Sequence, residues 1–202
     1  MMKRIVTLAV VIFSIMMLSS CKSPGPLAAT NFDGLNGPVL NIGNGLISIN
    51  NWEVNPYSTV SPSNETLSLN TTNAACIEEG TGSAEIYCNP LAYQKPITLY
   101  KAFSPPTNLS NRIVSIWMYA PSDLAALNGT YFLNLYVTVD GGGDKEISSS
   151  NQFSSGWTQI KFTVPNSDDY TYISAMRFSL EAIANLTPTP FPGYIYFDEI
   201  SW

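Results

Sequence analysis

Three segments of the 202-residue chain carry side chains suited to holding a ring with C–H groups on its faces and hydroxyls around its rim. They supply Trp117 and Tyr119, Asn134 and Tyr136, and Arg177 and Glu181. Flat indole and phenol rings cover the faces of a sugar, while amide, guanidinium and carboxylate groups exchange hydrogen bonds with its hydroxyls. Such a grip needs no bond to be broken. In each segment these residues alternate with aliphatic ones. Val114, Ile116 and Met118 interleave with Ser115, Trp117 and Tyr119. Leu133, Leu135, Val137 and Val139 interleave with Phe132, Asn134, Tyr136, Thr138 and Asp140. Met176, Phe178 and Leu180 interleave with Ala175, Arg177, Ser179 and Glu181. A period of two puts the aliphatic set on one face of a strand and the mixed set on the other. The dry faces are core, and the mixed faces meet solvent or a ligand. The same aromatics also read as cross-strand pairs on an ordinary outer face, worth up to about 1 kcal/mol each.

Two further acids, Asp198 and Glu199, lie in the β-branched and aromatic segment 194–202. Strict alternation sets Glu199 beside Ile195 and Phe197, and Asp198 beside Tyr196, Ile200 and Trp202, so at least one acid shares a largely apolar face. A carboxylate there needs a metal or a hydrogen-bond donor, unless the strand end is exposed and both acids sit in water. The chain has no histidine. Ser-His-Asp and Cys-His nucleophile systems and imidazole bases are therefore excluded, and any catalysis would rest on carboxylates, Tyr, Lys, Arg or a metal. Glu181 with Arg177 and Tyr136 supplies a fragment of a lyase or hydrolase site, and Glu78-Glu79 reads as a loop pair that overhangs it or is simply solvated. No strand read from the sequence carries two acids at alternate positions. The net charge of −6 speaks against nucleic acid as a partner, because binding it needs a basic surface.

Lys3 and Arg4 precede an apolar run from Ile5 to Leu18 that stops at Ser19-Ser20-Cys21. A charged start, a short apolar stretch and small residues make a secretory leader, too short for a comfortable membrane span. Leu18-Ser19-Ser20-Cys21 resembles a bacterial lipobox, which implies cleavage before Cys21, lipid on that cysteine and a cell-envelope location, and Lys22 rather than Asp after it implies, by likeness to enterobacterial lipoproteins, the outer membrane or cell surface. An ordinary secretory leader with an incidental cysteine is the plainer reading. With Cys21 given to lipid, Cys76 and Cys88 remain as an even pair in a compartment that permits disulfides. A bridge between them would contribute on the order of 3 kcal/mol. Two cysteines without histidine make a poor zinc site.

These residues need strands to position them. Candidate strands are 46–54, 66–72, 84–88, 97–103, 112–119, 131–140, 157–164, 172–181 and 194–202, with a short one near Phe32. Between them Ser61-Pro62-Ser63-Asn64, Ser104-Pro105-Pro106, Asn128-Gly129, Gly141-Gly142-Gly143-Asp144 and Pro188-Thr189-Pro190 signal turns. Residues 122–127 suit one helical turn, and no stretch carries an amphipathic helix. Residues 1–20 read as the leader, 21–30 as the lipidated cysteine and a tether, and 31–202 as one domain. That domain is all-β, an antiparallel β-sandwich of the jelly-roll kind. In the jelly-roll order the segments 112–119, 131–140 and 172–181 share one sheet, so their mixed faces form one surface, with the Trp157 and Tyr194 strands in the opposite sheet.

Asn31-Phe32-Asp33-Gly34, Ser155-Gly156-Trp157-Thr158-Gln159-Ile160 and Ile195-Tyr196-Phe197-Asp198-Glu199-Ile200 resemble landmarks of β-jelly-roll carbohydrate-binding modules attached to bacterial polysaccharide-degrading enzymes. The resemblance spans most of 31–202. It implies non-catalytic binding of a polysaccharide, and a structural calcium held by Asp33 and Asp198 with backbone carbonyls. The long stretch rich in Asn, Ser and Thr over 56–82 and the Cys76–Cys88 pair depart from the pattern, so no loop residue is carried over. Two other functions stay open: a jelly-roll lyase or glycoside hydrolase, and a structural or adhesive lipoprotein whose mixed face meets a protein.

Overall fold

The computed structural model describes residues 29–30, 40–42, 46–49, 51–54, 66–78, 80, 82–91, 96–127, 129–149, 152–182 and 191–202. The leader, Cys21, the strand near Phe32, Asp33, Glu79 and the turns at 61–64 and 188–190 lie outside the described residues. Thirteen strands among the described residues form two antiparallel sheets. One runs in the order β11 (Gly156–Thr163), β8 (Ile113–Ala120), β13 (Phe191–Ser201), β6 (Ser83–Leu91), β5 (Thr66–Asn70), with β1 (Ala29–Thr30) also on β13. The other runs β10 (Asp144–Ser148), β9 (Tyr131–Val139), β12 (Ile173–Ala182), β7 (Ile97–Thr107), β4 (Trp52–Val54), β3 (Leu46–Ile49), β2 (Leu40–Ile42). One helical turn, α1 (Ser122–Ala125), falls where the sequence places it.

The aliphatic faces make the core as their period requires. Val114, Ile116, Met118, Leu133, Leu135, Val137, Met176, Phe178 and Leu180 are all buried between the sheets. Phe178 of one sheet meets Phe162 of the other at 5.8 Å between ring centroids and Trp52 of its own at 6.0 Å. Each such side chain contributes about 1.5–3 kcal/mol by leaving water.

Four differences from the sequence reading have local causes. The expected strand 46–54 is a hairpin, because Asn51 adopts φ +62°, a left-handed conformation that Asn tolerates and a strand does not. Ala29 and Thr30 pair with Ser201 and Ile200 and so belong to the sheet rather than to a tether. Ser104-Pro105-Pro106 lies inside β7 rather than in a turn. The pairing there skips from Ala102↔Ala175 to Thr107↔Ile173, so the two prolines, which have no N–H to give, sit in an unpaired bulge. Finally, Asp144 opens β10, a strand absent from the sequence reading, hairpinned to β9 through Gly141 at φ +70°.

Sheet membership also differs. Apart from the β9–β10 hairpin, the chain from β7 to β13 passes to the opposite sheet at each crossover. Strands β9 and β12 are therefore neighbours, and β8 lies across the core from them.

Candidate functional site

The outer face of the seven-stranded sheet collects the mixed residues of β9, β10 and β12. Across these strands Glu146, Tyr136 and Arg177 stand in register, and so do Ser148, Asn134 and Ser179. Asn134 is buried, and its amide nitrogen donates to Glu146 Oε1 at 2.8 Å and to Glu181 Oε1 at 2.9 Å. The Tyr136 hydroxyl donates to the same Glu181 oxygen at 2.9 Å. Burial, and then the hydrogen bond to Glu181, push the Tyr136 phenol well above its ordinary pKa. The Arg177 guanidinium lies 4.5 Å from the Tyr136 ring centroid and is ion-paired to Asp144, whose other oxygen accepts from Thr138 Oγ1 at 2.7 Å. One connected polar layer results, with carboxylate lone pairs still open to accept hydroxyls.

Four of the six expected ligand-binding residues thus come together: Asn134, Tyr136, Arg177 and Glu181. Trp117 and Tyr119 do not. They lie on the outer face of the six-stranded sheet, because face alternation is local to a strand whereas sheet membership follows the crossovers. There Tyr119 packs edge-on against Trp157 at 5.6 Å and Tyr196 at 5.8 Å, while Trp117 stands in register with Gln159 and Asp198. Their places on the polar layer are taken by Asp144 and Glu146 of β10, which are two acids at alternate positions. The sequence signal was Ile147, a lone apolar residue after a glycine turn that directly follows a long strand.

The closing strand resolves its two acids with a bulge. Pairing with β8 shifts between Asp198 and Ser201, and Glu199 takes φ +39°. Ile200 thereby joins Ile195 and Phe197 in the core, and neither acid enters it. Asp198 is fully buried on the outer side, where Oδ1 accepts the Glu199 N–H at 2.9 Å and Oδ2 the Glu78 N–H at 3.2 Å. Among the described residues no three of His, Cys, Asp and Glu gather as a metal cluster.

Cys76 and Cys88 form no disulfide. Cys88 points inward with Ala84 and Ile86. Cys76 lies on the other side of that sheet, where its sulfur accepts from Asn73 Nδ2 at 3.3 Å and its thiol meets the Tyr196 hydroxyl. A sheet therefore stands between the two sulfurs. Burial pushes the Cys76 thiol above its ordinary pKa.

No protein-family model matches the chain, and no curated protein matches it. Solved structures do. The CBM22-2 xylan-binding domain of a Paenibacillus barcinonensis protein aligns with TM-score 0.54 and 14% identity, over 86% of this chain and 96% of that one. A xylan-binding domain from CBM 22 aligns with TM-score 0.50 and 14% identity, over 88% and 94%. The CBM22-1 xylan-binding domain of the Paenibacillus barcinonensis protein aligns with TM-score 0.50 and 11% identity, over 87% and 92%. The fold is the jelly-roll β-sandwich of carbohydrate-binding modules.

Proposed function

We propose that the chain binds a polysaccharide without cleaving it, on the outer face of the seven-stranded sheet. The observation that carries this reading is the layer joining Asn134, Tyr136, Glu181 and Glu146, built on strands whose opposite faces are core. It presents oriented acceptors, a guanidinium and a phenol, the groups that meet sugar hydroxyls and ring faces. Binding is favoured over cleavage because Glu146 and Glu181 both close on the one amide of Asn134. A glycosidase holds its two carboxyls on either side of the bond to be broken, with the space between them open to the sugar. The neighbours' xylan makes xylan the first ligand to try. In affinity electrophoresis through soluble xylans, glucans and mannans, the chain should be retarded by at least one, and Tyr136→Ala should lose about tenfold in affinity. Migration unaffected by every glycan, or release of reducing ends or unsaturated products, would overturn the reading. A protein captured while all glycans fail would favour an adhesive role.

The chain is further proposed to be a lipoprotein of the cell envelope, anchored at the outer membrane or cell surface through Cys21, on the strength of Lys3, Arg4 and the run to Leu18-Ser19-Ser20-Cys21. Labelled fatty acid should enter the full chain expressed in a Gram-negative host and be lost in Cys21→Ser. Asp198, with Asp33, is proposed to hold a structural calcium. Asp198 is a buried carboxylate, the oxygen-donor type that a hard cation takes, and it lies on the closing strand, where the sequence resemblance to carbohydrate-binding modules implies a calcium ligand. Calcium should raise the melting temperature of the wild type and not that of Asp198→Ala. An unchanged wild-type melt would overturn the calcium reading.

A further inference from the structure

The polar layer holds three carboxylates, of Asp144, Glu146 and Glu181, and one guanidinium, of Arg177, which is the only cation on the outer faces of β9, β10 and β12 among the described residues. A face built this way might still take an acidic sugar, since a guanidinium is the best partner a carboxylate has and binds it through two parallel hydrogen bonds. Here its charge is already offset through one of its nitrogens. Arg177 is ion-paired to Asp144, and Asp144 is itself fixed by the Thr138 hydroxyl at 2.7 Å. The guanidinium also lies over the Tyr136 ring at 4.5 Å, so it covers one face of that phenol.

We infer that Asp144 is a specificity-determining residue which acts through Arg177: by holding the guanidinium against Tyr136 it makes the layer reject uronate-bearing polysaccharides and accept uncharged ones. This rests on the glycan-binding reading of the same face. The physical basis is the balance of charge. With Arg177 neutralised, an incoming uronate meets Glu146 and Glu181 with no unspent cation to offset them, and like charges at short range cost several kcal/mol in specificity across an interface. Removing the Asp144 charge while keeping its shape leaves Arg177 in place over Tyr136 with its fork unpaired. A uronate then has a partner. Asp144 is partly exposed and lies on an edge strand, so the near-isosteric Asp144→Asn is expected to fold, and Asp144→Ser supplies a second version.

The test is affinity electrophoresis and calorimetry of wild type, Asp144→Asn, Asp144→Ser and the double variant Asp144→Asn with Arg177→Gln. Each is run against an uncharged arabinoxylan and against polygalacturonate, in low and high salt. Wild type should ignore polygalacturonate, and Asp144→Asn should bind it at least about tenfold more tightly. High salt should weaken that gain, and the double variant should abolish it. A purely structural role for Asp144 would weaken both ligands and create no binding to polygalacturonate. Retardation of wild type by polygalacturonate overturns the inference, and so does the lack of any gain in both single variants. If wild type binds uncharged glycan and the variants gain nothing, this inference fails and the glycan-binding reading stands. If the variants gain polygalacturonate while wild type binds no glycan at all, the charge lock stands and that reading fails.

Discussion

The buried amide of Asn134 gives its two N–H groups to two different carboxylates, and this division decides what replacing it does. Asn134→Ala would leave Glu146 and Glu181 each short of a donor and facing each other across the gap. Both acids can turn to water, Glu146 being exposed and Glu181 half-buried, so the cost is that of the lost hydrogen bonds to charged acceptors, and chemical denaturation should show a loss of about 1–3 kcal/mol. Glycan affinity should fall with it, because both acceptors lose their orientation. Tyr136 and Tyr196 add a pH dependence of defined sign. Burial comes first, and then hydrogen bonds to Glu181 and Glu85 respectively, in raising both phenols above their ordinary pKa. The folded chain therefore keeps protons that the unfolded chain begins to lose near pH 10. The stability they supply is complete below that value and is lost as pH rises from there through the folded values. Melting temperature should decline as pH rises above roughly 10, and Tyr136→Phe should make the decline shallower.

At the scale of elements, β10 brings Asp144 and Glu146 to the layer, and its one buried residue, Ile147, is what seats it. Ile147→Ala should cost about 2 kcal/mol, at the low end of such truncations because the strand is at an edge, and should weaken glycan binding by more than its loss of stability explains. The closing-strand bulge makes a second prediction. Asp198→Ala removes the acceptor of the Glu78 and Glu199 N–H groups, and at about 1–3 kcal/mol for a buried group left unsatisfied the melting temperature should fall by several degrees. These two elements also mark what could be read from the residues. The inward faces of β8, β9 and β12 were legible because a buried face leaves an aliphatic residue at every second position. Strand β10 was not, since four of its five residues are polar and only Ile147 records the core. The bulge at Glu199 was hidden for a related reason: period-two reasoning has no place for an extra residue, although two acids beside Ile200 are what such a residue would have to spare. Trp117 and Tyr119 lie on the face of their strand that alternation predicts, but in the sheet opposite the expected one. Faces are set by neighbours in sequence, whereas sheets are set by crossovers many residues long.

At the scale of the whole molecule, the six-stranded sheet separates the two buried sulfurs, with Cys88 inside the sandwich and Cys76 on the outer side, within the segment that joins β5 to β6. Reductant should leave the melting temperature unchanged, gel mobility should be the same with and without it, and both thiols should react with a thiol reagent only after unfolding. That joining segment is tied down by Asn70, whose amide donates to the Asn73 carbonyl at 3.1 Å and the Cys76 carbonyl at 3.2 Å. It is tied again by the Glu78 N–H on Asp198, so the start of the sheet is laced to its final strand. The position of that strand has a consequence for the order of assembly. Strand β13 lies between β8 and β6, so the pair β11–β8 and the pair β5–β6 have no shared neighbour until it arrives. A ribosome delivers β13 after every other strand described here. Until then each pair has an open edge. Chains stopped after residue 190 should accordingly show no cooperative melt, whereas chains that include β13 should melt cooperatively.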